Sequence, residues 1–262
     1  MSLKLCVAIS TLNDGIYRCE DAVYDMDENV ELLIIHQVPS GITDYEDFYS
    51  RLRHNRNNIK IITSNSGGLS KSRNLALQNT SSQYIIFSDD DNSYIKDLCK
   101  VVSHRLSELN FPEFLSFRIE DETGEYFKAY PNKLSKHNRR SILRLSSIEN
   151  VYDVRFIRSN GLMFDESFGL GAKYPSCEQP IFASCILSSG GIGYFFPETV
   201  TFHPKENSGD NFYTENSSLA RKKMLEIVFG NVKGKLLYSF FVFKKLHVVP
   251  NGHKITFLRS IL

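Results

Sequence analysis

The sequence contains no long hydrophobic run and no regular arrangement of cysteines. Its longest apolar stretch, residues 236–243, is far shorter than the ~20 residues that a membrane-spanning helix needs. The five cysteines are odd in number and lack Cys-x-x-Cys spacing, which disfavours a disulfide framework and a zinc cage. Residues 1–10 are a short apolar run and predict no secretory leader. We therefore expect a cytoplasmic protein that is soluble or lies peripherally on the inner face of the cytoplasmic membrane.

The net charge is small, but it is unevenly distributed along the chain. The formal charge is +1 overall, whereas residues 221–262 carry nine basic residues against the single acid Glu226, hence +8. The rest of the chain has 22 basic and 29 acidic residues, hence −7. A basic segment that also contains Leu, Phe and Tyr has two interpretations. It rests on an anionic membrane surface, or it covers the protein core and exposes a solvated face.

Short β-rich runs alternate with helix-patterned segments through the first half of the chain. The predicted strands span residues 4–10, 30–36, 59–63 and 84–88, and the predicted helices span residues 15–25, 44–55 and 69–79. This order predicts a mostly parallel sheet that binds ligands at the carboxyl ends of its strands. Farther along, we expect helices at 94–109 and 178–189, strands at 113–120, 193–196 and 199–203, and a loop-rich segment at 121–150.

Three consecutive carboxylates, Asp89, Asp90 and Asp91, follow the fourth predicted strand directly. Their mutual repulsion is costly unless a cation or hydrogen-bond donors offset it. Mg²⁺ and Mn²⁺ prefer oxygen ligands and commonly share them with substrate phosphates. The triplet therefore predicts a metal site, and the alternative is an acidic turn that precedes a helix.

The loop after the third predicted strand is rich in glycine. Gly67 and Gly68 allow a tight turn, Ser70 is a predicted N-cap, and Lys71 and Arg73 fall in the first helical turn. Backbone N–H groups at a helix start favour anions, so a diphosphate suits this position. The P-loop spacing is absent. The alternative is a flexible loop before an ordinary capped helix.

The segment from Gly68 to Asn74 and the acidic triplet together resemble glycosyltransferase family 2, particularly its bacterial polysaccharide-biosynthesis enzymes. The resemblance implies an α/β fold of the GT-A type. A Rossmann-like nucleotide-binding half with a mostly parallel sheet covers about residues 1–110, and a mixed acceptor-binding half covers about 111–220. Residues 221–262 then form a basic, helical C-terminal extension.

The resemblance also implies roles for individual residues. Asp91 and Asp89 handle Mn²⁺ or Mg²⁺ and the diphosphate, and Arg73 lies close to them. The implied donor-binding residues are Thr11, Asn13, Gln37, Asn65, Arg73, Asp89 and Asp90. Gln37 is a departure, because the family usually ends its second strand with Asp-Asp-Gly-Ser or a similar segment, whose first Asp reads the base. Its amide can still bond to a uracil edge, so we expect a uridine nucleotide.

The segment 164–179 resembles the acceptor-side element of the family. Glu178 matches the acidic position, and an inverting transferase needs such a carboxylate to take the acceptor hydroxyl proton. The alternative role for Glu178 is to complement its helix N-terminus, with Asp165 as the second candidate base. His203 is either a structural residue or a metal ligand, and residues 206–210 resemble a mobile lid.

These features together predict an inverting glycosyltransferase with a nucleotide-sugar donor. By resemblance, the acceptor is a glycan or lipid-linked glycan in bacterial surface polysaccharide synthesis, and no nucleic acid takes part. A sugar-phosphate nucleotidyltransferase is one alternative, although the sequence lacks the basic, glycine-rich loop expected after its first strand. A non-catalytic sugar-nucleotide or glycan-binding protein is the other alternative.

Overall fold

The first half of the chain forms the parallel core of one mixed sheet. The computed structural model describes residues 3–41, 44–204 and 212–261. Four parallel strands lie in the order β3-β2-β1-β4. Their bounds are β1 Leu5–Leu12, β2 Val30–Gln37, β3 Ile59–Ser64 and β4 Tyr84–Asp89. The intervening helices are α1 Cys19–Asp25, α2 Glu46–Asn55 and α3 Leu69–Asn79. The predicted order of strands and helices is confirmed.

The sheet continues beyond β4 with mixed pairing. The additional strands are β5 Ser93–Tyr94, β6 Phe114–Glu120, β7 Ser135–Lys136, β8 Asn150–Asp153 and β9 Gly193–Phe202. The order β4-β8-β6-β9-β5 contains antiparallel pairs and one parallel pair, β6 with β9, while β7 pairs with β9 at the side. The remaining helices of the catalytic region are α4 Leu98–Glu108, α5 Val154–Ser159 and α6 Glu178–Ser188. The fold is therefore α/β with a mostly parallel core, as predicted.

Two details of the prediction were wrong. The helix expected at residue 94 begins at Leu98, because Tyr94 pairs with Thr201 in the sheet. The two strands expected at 193–196 and 199–203 are one strand, β9, whose pairing with β6 shifts register near Arg118. Both differences arise from pairing between distant segments, which overrides local pattern.

Alternating side chains of the parallel strands divide the core into two clusters. Val7 and Ile9 of β1 face α1, α2 and α4, whereas Cys6 and Ala8 face α3, α6 and the C-terminal helices. β1, β2 and β4 are covered on both faces and are mostly buried, whereas β3 at the edge of the sheet is partly exposed. This double cover leaves the ends of the strands as the open edge of the sheet.

The C-terminal helices pack against the second cluster. They are α7 Glu215–Phe229, α8 Asn231–Lys245 and α9 Lys254–Arg259. Tyr238, Val242 and Phe257 are fully buried there, so the inner face of this region covers the core. Residue 221, the predicted start of the extension, lies inside α7. No helix within the described ranges is both long and apolar enough to cross a membrane.

Candidate functional site

The parallel strands bring their carboxyl ends to one edge of the sheet. Ser10 pairs with Asp89 between β1 and β4, and Leu12 pairs with Gln37 between β1 and β2. Gln37 in turn pairs with Ser64 at the end of β3. Segments that are far apart in sequence therefore meet at a single crevice. The expected binding edge is where most of the predicted site residues lie.

Two side chains, one at the end of β1 and one in the segment after it, hold Asp90 in position. The Thr11 hydroxyl donates to Asp90 Oδ2 over 2.5 Å, and Arg18 donates to both carboxylate oxygens from Nε and Nη2 over 2.8–3.1 Å. Asp90 is buried, whereas 62% of the Arg18 side chain is exposed. A Cβ on Gly15 would lie 2.5 Å from Asp90 Oδ2 and 2.7 Å from Thr11 Oγ1. The network therefore requires glycine at position 15, and Asp90 positions the β1 loop.

Arg73 joins the donor side of the crevice to the acceptor side. Its guanidinium lies on α3, is 1% exposed, and donates from Nη1 to Glu178 Oε1 over 2.8 Å. Nη2 lies 4.0 Å from Asp89 Oδ1 and has no hydrogen-bond partner, although it is buried. The rings of Phe87 and Phe164 lie 5.9 and 5.5 Å from the guanidinium carbon. A buried donor without a hydrogen-bond partner is uncommon in proteins, so the ion pair with Asp89 is important for the charge balance of the crevice.

The Asp89 carboxyl has an unfavourable environment for its charge. Desolvation raises its pKa above the usual range, Arg73 opposes the shift, and the neighbouring Asp91 adds to it. Because 37% of the side chain is exposed, solvent moderates the effect. A cation that approached Asp89 would stabilise the ionised form.

Asp91 lies beside His203. Oδ1 of Asp91 and Nε2 of His203 are 3.6 Å apart, and 42% of the Asp91 side chain is exposed. The His203 backbone N–H donates to Glu120 O over 2.9 Å, which holds β9 against β6 at this point. In the described part of the chain, no three His, Cys, Asp or Glu side chains already form a metal cage. Mg²⁺ is commonly held by one or two carboxylates together with substrate phosphates. The pair of Asp91 and His203, with Asp89 nearby, therefore fits such an ion.

Gln37 supports the glycine-rich loop. Its side-chain amide donates to the carbonyls of Ser66 and Gly68 over 2.8 and 3.0 Å, and the residue is buried. Both amide hydrogens are therefore used within the protein, and only Oε1 remains to meet the edge of a base. The predicted role of Gln37 as a donor to uracil does not fit this arrangement.

His36 holds the loop that follows β1. Its Nε2 donates to the Asn13 carbonyl over 2.8 Å, and its Nδ1 accepts from the Tyr49 hydroxyl over 2.5 Å. Burial lowers the pKa of His36, which agrees with the neutral tautomer that this arrangement requires. Asn13 has φ 48°, an uncommon backbone conformation for a residue other than glycine. Nothing in the local sequence pattern indicated this support, because its partners come from the loop after β1 and from α2.

The start of α3 packs against the glycine turns before α6. A Cβ on Gly171 would lie 3.3 Å from the Gly68 Cα, so the two backbones nearly touch. The Ser70 hydroxyl donates to Phe168 O over 2.6 Å. Ser70 lies within the helix and the N-cap position is Gly68, so the predicted Ser70 cap is wrong. Asn65 is exposed in the loop beside this junction.

Asp165 lies apart from the crevice cluster. Its Oδ1 accepts from the backbone N–H and hydroxyl of Ser167 over 2.9 and 2.6 Å in an exposed turn. The neighbouring Glu166 accepts from Asn74 over 3.1 Å and thereby links this turn to α3. The structure gives Asp165 a turn-forming contact and brings Glu178, not Asp165, to Arg73. The predicted lid at 206–210 lies outside the described residues.

A protein-family model matches the first part of the chain. The model of glycosyl transferase family 2 matches residues 6–162, more than half of the chain. That range includes Arg73 and the acidic triplet, while Glu178 and His203 lie beyond it. No curated protein matches the sequence.

Crystal structures of S. aureus TarS share the fold. The 1–349 fragment has a TM-score of 0.64 at 16% identity, and the match covers 94% of this chain and 72% of the fragment. A longer TarS gives a TM-score of 0.64 at 18% identity, with 95% of this chain and 45% of that chain covered. The fragment in complex with UDP-GlcNAc gives a TM-score of 0.63 at 16% identity, with 94% of this chain and 73% of that chain covered. At these identities the likeness is one of fold.

Proposed function

The chain belongs to glycosyl transferase family 2, and we propose that this GT-A glycosyltransferase takes its sugar from a UDP-sugar donor with inversion at the anomeric carbon. The observation that carries the proposal is Arg73, which contacts Glu178 and faces Asp89 across the crevice. The TarS structures with UDP-GlcNAc and with UDP, which have TM-scores of 0.63 and 0.62 to this chain, support the choice of nucleotide.

The donor half of the site comes from the β1 and β3 loops and the acidic triplet. Thr11, Asn13 and Asn65 are the proposed contacts to the nucleoside, and Arg73, whose buried Nη2 lies 4.0 Å from Asp89 Oδ1, is the proposed positive charge beside the diphosphate. Asp91, with His203 and Asp89, would hold Mn²⁺ or Mg²⁺. When bound, the ion neutralises charge on the departing nucleoside diphosphate. Asp90 keeps the β1 loop in position through Thr11 and Arg18.

Glu178 is the proposed general base. Its carboxylate takes the proton of the acceptor hydroxyl while the hydroxyl oxygen bonds to the anomeric carbon. The bond from that carbon to the diphosphate oxygen breaks, and UDP leaves with the bonding electrons. Arg73 holds one Glu178 oxygen at 2.8 Å and so fixes the carboxylate at the border of the two halves. Gln179 is buried beside Tyr152, to which its amide donates, and has no proton-accepting role here.

The acceptor is proposed to be a glycan or lipid-linked glycan in surface polysaccharide synthesis. The division into a donor half at about 1–110 and an acceptor half at about 111–220 belongs to this proposal. Membership of the family favours it over the nucleotidyltransferase and over the non-catalytic binding protein.

Thermal-shift measurements with a panel of nucleotide sugars and Mn²⁺ test the proposed donor. A UDP-sugar should raise the Tm most, and UDP alone should give part of the effect. Stabilisation by GDP- or dTDP-sugars instead would contradict the uridine assignment. Stabilisation only by a nucleoside triphosphate together with a sugar phosphate would support the nucleotidyltransferase.

A further inference from the structure

The outer face of α8 carries a stripe of exposed apolar side chains. Four of them are 65–77% exposed, namely Val232, Leu236, Phe240 and Phe243. At about 100° per residue, they fall within an arc of about 80° on the helix surface. The opposite side of the helix is fully buried at Tyr238 and Val242. We call these four residues the α8 stripe, and its size and continuity exceed the scattered apolar exposure of an ordinary surface.

Lysines border the α8 stripe on both sides. Lys235 lies at one edge, and Lys233 and Lys244 lie at the other, when positions are counted at about 100° per residue. All three are exposed. Residues 227–261 contain six basic residues and no acid, so this region has a formal charge of +6. An apolar stripe between rows of lysine suits a surface with an apolar interior and anionic headgroups.

A basic cleft adjoins the stripe between α7, α8 and the loop near residue 140. Its volume is about 580 Å³, and its cationic lining residues are Arg140, Arg221, Lys233 and Lys245. No acid lines it among the described residues. The Arg221 guanidinium carbon lies 4.9 Å from the centre of the Phe241 ring, and Lys245 Nζ lies 5.7 Å from that of Phe212. The cleft thus places cationic groups next to aromatic rings. This arrangement suits a lipid that has an anionic headgroup and attached acyl chains.

We propose that α8 docks this enzyme on an anionic phospholipid bilayer. The α8 stripe enters the headgroup–acyl boundary, the flanking lysines meet lipid phosphates, and the basic cleft receives a headgroup. Dimerisation through this face of α8 is less favourable than docking on a bilayer. An isologous contact would bring two surfaces of the same positive charge together.

Vesicle flotation with the full chain tests the apolar part of the proposal. Vesicles of phosphatidylglycerol and phosphatidylcholine should bind the protein without any nucleotide present. The double variant Leu236→Gln/Phe240→Gln should partition at least tenfold more weakly, since each side chain loses insertion. Tyr24→Gln/Leu134→Gln, which changes two exposed apolar residues elsewhere, is the matched control and should bind like the unmodified protein.

A second pair of variants tests the charge requirement. Lys235→Glu/Lys244→Glu should abolish binding to the anionic vesicles, whereas Lys100→Glu/Lys133→Glu makes the same change in net charge elsewhere and should preserve it. Pure phosphatidylcholine vesicles should bind at least tenfold more weakly than the mixture. Equal binding to both vesicle types, or equal binding by all variants, would overturn the proposal.

Dimerisation is the alternative outcome. If the unmodified protein does not bind vesicles but forms a concentration-dependent dimer, and Leu236→Gln/Phe240→Gln does not form it, the face would be assigned to a second copy. These measurements need no donor, so their failure leaves the proposed transferase activity standing.

Discussion

Arg73 donates from Nη1 to Oε1 of Glu178 over 2.8 Å, although the two residues are 105 positions apart in the sequence. The guanidinium is 1% exposed and the Glu178 side chain 12% exposed. The ion pair thus links α3 to α6 at the crevice. The second terminal nitrogen of the guanidinium, Nη2, lies 4.0 Å from Asp89 Oδ1 and has no hydrogen-bond partner.

Removal of Arg73 should destabilise the protein strongly. In Arg73→Ala, Glu178 loses its buried partner, and a pair broken from one side costs about 3–5 kcal/mol. Urea unfolding followed by circular dichroism measures the loss. Arg53→Ala is the control, because the exposed Arg53 lies 3.8 Å from Glu46 and 5.7 Å from the centre of the Tyr49 ring, and its loss should change stability by less than about 1 kcal/mol. Equal effects in the two variants would show that the Arg73 pair contributes no more than a surface one.

Glu178→Gln should separate binding from chemistry. The amide keeps the size of the side chain and the contact with Arg73, so UDP affinity should stay within about twofold, which is under about 0.5 kcal/mol. Turnover, measured as UDP release in the presence of acceptor, should fall by about 100- to 10,000-fold when the base is lost. Asp165→Asn should retain turnover, because Asp165 contacts Ser167 in a separate turn. If Asp165→Asn lost turnover and Glu178→Gln retained it, Asp165 would be the general base instead.

Gly15→Ala should disturb the network around Asp90. The added methyl group would lie 2.5 Å from Asp90 Oδ2, so Thr11 or Asp90 has to move. Such overpacking costs about 1–3 kcal/mol, and we expect UDP affinity to fall with it. Gly252→Ala is the control, since a methyl group there meets no atom within 4 Å. Denaturant titration and calorimetry on both variants check the expectation.

His137 should make stability fall in acid. Burial lowers its pKa to about 4, and its ring nitrogens lie 2.7 and 3.1 Å from the hydroxyls of Ser116 and Ser141. An unfolded His has a pKa of about 6.5, so between these values the unfolded chain binds more protons and stability falls as pH falls. The stability lost between neutral pH and a pH below 4 is on the order of 3 kcal/mol. His137→Gln should flatten the dependence of unfolding free energy on pH between 7 and 4, and an unchanged slope would contradict the assignment.

The sequence predicted the fold well wherever local pattern decides it. The short β-rich runs of the first four strands, separated by helical segments, were sufficient to predict the parallel core. Local pattern failed at Tyr94, because its strand exists only through pairing with Thr201. It also divided β9, whose central Pro197 resembles a break in sequence but lies within the strand.

The candidate site could be predicted only as a set of residue types at strand ends. Asp89, Asp91, Arg73 and Glu178 were proposed in this way, by resemblance. Their pairwise contacts depend on the packing of α3 against α6, which no local spacing encodes. Arg18 was missed because its partner Asp90 lies 72 residues away. Gln37 was given a base-reading role because its use as a loop support became visible only with the carbonyls of residues 66 and 68 in place.

Isothermal titration of UDP with and without Mn²⁺, on the unmodified protein and on Asp91→Ala, tests the central claim most directly. We predict that Mn²⁺ strengthens UDP binding to the unmodified protein at least tenfold and that Asp91→Ala loses this gain while remaining folded. UDP affinity that is the same with and without Mn²⁺, or a gain that persists in Asp91→Ala, would contradict the account of a metal-assisted UDP-sugar site at the acidic triplet.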